Sequence, residues 1–105
     1  MKKEAKILRY NKKDSDGDIF IKGSVRFKNP VPLLKDFNNS NVLGKVNVFD
    51  TPTGLKANFE DEHSGLYPAV GIKVIKRDGN TILECELFSV GLCSMPNLDP
   101  EIKPI

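Results

Sequence analysis

Tryptophan is absent from this chain, histidine occurs once (His63), and cysteine twice (Cys85 and Cys93). A zinc centre of thiolates and imidazoles needs more ligands than that, so no metal site and no cofactor are expected. The two cysteines sit eight apart in one apolar stretch. On a single strand they could not be bridged, and two reduced thiols suit a cytosolic setting. No apolar run approaches the roughly 18 residues that a membrane span needs. The opening "MKKEAKILRY" is basic but lacks the continuous apolar stretch of a signal peptide. The expectation is a protein that works in a cytoplasm, away from membranes. Charge of one sign is also lacking: 16 Lys and Arg against 14 Asp and Glu leave a net +2. With no stacking platform and no recognition motif, nucleic acid is not an expected partner.

What is present is period-two alternation. "AKILRY", "DIFIKGSVRF", "GKVNVFD" and "GLKANFE" alternate apolar and polar residues. "AVGIKVIKRDGNTILECELFSVGLCSM" reads as two long strands about an Asp-Gly turn. Such runs, separated by turn residues, predict a mainly β chain: a small single-domain barrel or sandwich with at most one or two short helices. One short helical turn is expected after Pro32. Residues 1–95 form the expected domain. Residues 96–105, with three prolines, form an expected extended C-terminal arm.

The stretch "KKDSDGDIF" sets three aspartates at alternate positions, as a calcium loop does. A calcium loop counted from Asp14 requires glycine at position 6 and glutamate at position 12. Here those positions hold Ile19 and Val25, while Gly17 falls at position 4. The segment therefore reads as a turn between strands.

In order along residues 7 to 99, several blocks resemble the tailed-phage prohead (capsid maturation) protease family. "DSDGDIFIKGSVRF" resembles its opening turn and strand. "PVPLLKDFNNSNVLGKV" is similar to the block carrying its histidine, and "TPTGLKANFE" to the Gly-Leu strand that comes next. "YPAVGIKV" resembles the Ser-x-Gly segment and "ELFSVGLCSMPNLDP" the closing strand. The resemblance implies a prohead/herpesvirus-type protease fold with a serine nucleophile, a histidine base and an orienting acid. In this chain those positions hold Ala69, Phe37 and Ser89 respectively, so the implied site is degenerate.

The resemblance therefore implies a non-enzymatic phage or prophage structural or assembly protein, in a virion or host cytoplasm. Its expected partners are capsid or other virion subunits, or further copies of itself. Expected binding residues are Leu66, Tyr67 and Pro68, at the position of the family's cleft, and Leu98, Ile102 and Ile105 of the arm. The alternatives are a divergent active serine protease and a phage-encoded module that inhibits a host protein. For the protease, the adjacent His63 and Ser64 are the only relocated pair, and neighbours on an extended chain face opposite sides. That stretch reads as a solvated loop, and Glu84 with Glu86 as a solvated strand face.

Overall fold

A computed structural model describes residues 2–105 and is mainly β. Nine strands lie in order along the chain: β1 (Lys2–Arg9), β2 (Ile19–Phe20), β3 (Val25–Arg26), β4 (Val31–Lys35), β5 (Val42–Val46), β6 (Val48–Thr51), β7 (Gly54–Glu60), β8 (Tyr67–Asp78) and β9 (Thr81–Cys93). Among the described residues the helical content is a single 3₁₀ turn, Asp61–His63. No helix there is long and apolar enough to cross a membrane. The stretch after Pro32 is strand β4, not the expected helical turn. Val31, Leu33 and Leu34 are buried, and pairing with β9 outweighs a weak local helical bias.

One sheet has the order β1-β7-β6, all antiparallel. The other is organised around β9. The β8 strand runs antiparallel to it along its whole length, joined by the tight turn Gly79-Asn80, where Gly79 has φ +59. Positive φ at the first turn position is what a two-residue hairpin requires, and glycine supplies it without strain. Because β8 occupies one edge of β9 throughout, the parallel partners β2, β3 and β4 share the other edge in succession. The β5 strand pairs with β4 and runs into β6 through Asn47, carrying the chain from one sheet to the other. Asn29 ties that corner: its side-chain amide bonds both the N–H and the carbonyl of Val48, at 2.8 and 2.7 Å.

The core lies between the inner faces. Ile7, Val48, Leu55, Ala57 and Phe59 come from the first sheet; Leu33, Ile82, Cys85, Leu87, Val90 and Leu92 come from the second. The β8–β9 register shifts at Gly71/Ile72, Val74/Lys76 and Lys76/Arg77. At each shift one residue is left without a partner opposite, namely Phe88, Ile75 and Leu83 in turn. A bulge breaks the in–out alternation, and these three apolar side chains are accordingly exposed.

The sheets do not close on one another. Among the described residues β1 pairs only with β7, and β8 only with β9. The β1 and β8 edges approach each other along a seam with no backbone ladder across it.

Candidate functional site

The ladder between β8 and β9 brings the three implied triad positions together. Ala69 pairs with Gly91, and Ser89 with Gly71. Phe37 arrives from the turn after β4, which is bound to the end of β9. Asp36 N–H donates to the Leu92 carbonyl (3.1 Å), and the Asp36 carboxylate accepts from Ser94 N–H (3.0 Å) and Lys35 Nζ (2.6 Å). Those bonds hold the Asp36 carboxyl below the usual carboxylate range, the Lys35 bond contributing most.

Asp36 and Phe37 both take left-handed backbone angles, φ +50 and +57. That conformation is costly for a bulky side chain, and here it lays the Phe37 ring over bare backbone. A β-carbon added at Gly91 would lie 2.6 to 2.8 Å from three ring atoms; one at Gly71 would collide with Ser89 Oγ and lie 3.2 Å from Cε1 of the ring. Only glycine fits beneath the ring. Beside it, Ser89 Oγ is buried with no hydrogen-bond partner among the described residues. A hydroxyl with no base against it is a weak nucleophile. The convergence point is an aromatic lid on a glycine stripe.

The seam opens next to this lid as a cleft of about 440 Å³. Consecutive residues of β1 (Ile7, Leu8, Arg9) and of β8 (Ala69, Val70) line it, with Ile72, Val74, Phe20 and Phe37. A cavity on a sheet face meets alternate residues; one that meets consecutive residues on two strands lies at their edges.

Two segments span the seam. The loop carrying Asp14, Asp16 and Asp18 forms one wall, and Met95 to Asp99 the other. The aspartates make a turn, as expected: Asp14 Oδ1 accepts from the N–H groups of Asp16 (2.9 Å) and Asp18 (3.0 Å). The Ser15 N–H and hydroxyl both donate to the Leu98 carbonyl, at 3.0 and 2.6 Å, clasping loop to tail. Arg77 pairs with Asp18 at 3.2 Å, joining loop to β8. Arg9 grips Asp99 through two bonds, 2.6 and 2.8 Å, joining β1 to the tail. The Arg9 bond is the main reason that the Asp99 carboxyl is held below its ordinary value. Side chains thus bridge a gap that backbone pairing leaves open.

The expected extended arm is instead folded onto the domain. Ile102 is 2% exposed, and backbone bonds join Ile105 to Gly65 and Leu66. Burial of Ile102 together with the Arg9–Asp99 pair outweighs the freedom of a proline-rich tail. Of the expected binding residues, Pro68 and Ile102 are buried and cannot meet a partner. Leu66 and Ile105 pack against the core, and Tyr67 is half-buried. Leu98, 50% exposed, stands on the cleft wall.

Around the 3₁₀ turn, Glu62, Ser64 and Gly65 are exposed, as expected of a solvated loop, while the His63 side chain is tucked in, 13% exposed with Nε2 3.8 Å from Glu62. Ser64 Oγ accepts from Lys3 Nζ at 2.9 Å. Glu84 pairs with Arg26 at 2.8 Å. Among the described residues no group of three His, Cys, Asp or Glu side chains is placed to hold a metal ion.

Arg9, Phe20, Met95 and Asp99 were not legible as site residues. Of these only Met95 carried a signal, as an apolar residue near Leu98 inside a proline-rich polar segment. Comparison with family models, curated proteins and solved structures finds no match to this chain.

Proposed function

We propose that this protein is a non-enzymatic phage or prophage structural or assembly protein that binds capsid or other virion subunits through a degenerate prohead-protease-like fold. In this reading the two sheets are a barrel opened along the β1–β8 seam. The observation that carries it is the convergence of Phe37, Ala69 and Ser89, far apart in sequence, at one point on the β8–β9 ladder. A triad site would need such convergence, and here an aromatic ring stands where a base would act. The phage setting comes from the resemblance in sequence blocks; the binding role is supported by the cleft beside the lid.

Two measurements test it. A serine-reactive fluorophosphonate applied to the purified protein should leave it unlabelled. Labelling that disappears in Ser89→Ala or Ser64→Ala would establish a hydrolase instead. Affinity capture from producing cells, with mass spectrometry of the eluate, should recover coat or portal polypeptide in stoichiometric amount. A lone host protein recovered in its place would point to an inhibitor.

A further inference from the structure

We infer that the β1–β8 seam is a docking groove for an extended segment of a partner protein, which adds as a strand to the free edge of β8 and places a basic side chain against Asp14 and Asp16. The inference rests on the binding role proposed above and assigns it to one surface.

The first observation is the edge itself. Near its start, β8 is capped by Asn97 Nδ2, which donates to the Pro68 carbonyl at 2.8 Å. From Ala69 to Val74 no ladder partner occupies that side among the described residues. Unpaired backbone donors and acceptors in a row are a template for strand addition, in which main-chain bonds supply affinity and alternate side chains supply specificity. The second is the cleft floor. Ile7, Leu8, Phe20, Val70 and Ile72 are apolar, and Met95 and Leu98 rise beside them 73% and 50% exposed. Large apolar side chains held beside an open edge suit the alternate apolar residues of an incoming strand.

Charge decides which strand. Four aspartates line the cleft against two cations, Arg9 and Lys12. Asp99 is bound by Arg9 and Asp18 by Arg77, while Asp14 and Asp16 make no ion pair among the described residues. A segment with a Lys or Arg at that end is complementary; an acidic one is repelled.

The test uses the whole protein and a dodecapeptide selected on it from a random display library. Selected peptides should alternate apolar residues and carry a Lys or Arg. Binding should shift the amide resonances of Ile7–Arg9 and Ala69–Val74, and N-methylation of alternate peptide amides should abolish it. Asp16→Lys and Leu98→Asp, both at exposed side chains, should each weaken binding by about tenfold or more with melting temperatures unchanged. Failure to select any peptide would overturn the groove. So would peptides that bind both variants as they bind the wild type, or a dimer that buries the β8 edge. A virion protein captured equally by wild type and variants would keep the binding role and remove the seam. Fluorophosphonate labelling would remove the binding role, whatever the peptide does.

Discussion

Phe37 illustrates how much one residue can carry. Its ring is 38% exposed, yet its backbone sits in a disfavoured region in order to hold it there. Contact with Gly91 and Gly71 must offset that cost, which yields a thermodynamic cycle as a prediction. Gly91→Ala should destabilise by roughly 1–3 kcal/mol, because the new methyl meets the ring. In a Phe37→Ala background the same change should cost far less, leaving a coupling of about 1 kcal/mol or more in urea unfolding. Additive costs would show that the ring does not rest on Gly91. The thiols offer a second test at this scale. Burial pushes the Cys85 thiol up to about 11, and the side chain is fully enclosed. At pH near 8, iodoacetamide should leave Cys85 unmodified in the folded protein and alkylate both cysteines in denaturant, as read by mass spectrometry. Rapid native labelling of Cys85 would contradict its burial.

At the scale of elements, the tail is held by a polar pair and an apolar plug. Arg9 and Asp99 join β1 to the tail, and Ile102 seals it. The folded-state pKa of Asp99 lies below its unfolded value of about 3.9, so the pair contributes fully above that pH. The contribution is lost as the pH falls through the folded value. Asp99→Asn should therefore lower stability at neutral pH by roughly 1–3 kcal/mol and flatten the acid limb of the unfolding curve. Circular dichroism across acidic to neutral pH measures both, and an unchanged acid limb would mean that other carboxylates govern acid unfolding. The bulges of the β8–β9 hairpin act at the same scale: each throws one apolar side chain outward and shifts the register of the residues beyond it.

For the whole molecule, β9 is the organising strand, flanked along its length by β8 on one side and by β2, β3 and β4 on the other. Native-state hydrogen exchange should find its amides near Val90 and Leu92 among the slowest. The hairpin tip from Lys73 to Asn80, exposed throughout, should be among the fastest. Slow exchange at the tip would indicate that a second molecule covers it. The seam between β1 and β8 is a property of this scale, since which two edges come to lie beside each other depends on how the sheets meet.

The β character of the chain and its long hairpin could be read from alternation and turn chemistry, because those depend on neighbours a few residues apart; the turn itself falls one residue later than the Asp-Gly expected, at Gly79-Asn80. So could the aspartate turn, since a calcium loop has fixed positions that this stretch does not fill. The convergence of residues 37, 69 and 89 was implied only by resemblance; the ladder register and the left-handed turn at Asp36–Phe37 bring it about. The strand after Pro32 was missed because its partner, β9, lies more than fifty residues away. The folded tail was missed because Asp99 finds its partner, Arg9, at the other end of the chain. Proline content describes local stiffness and says nothing of where a segment docks. The open seam was beyond sequence reasoning for a plainer reason: which strand edges stay unpaired depends on how two sheets meet, and that is settled by packing across the whole core.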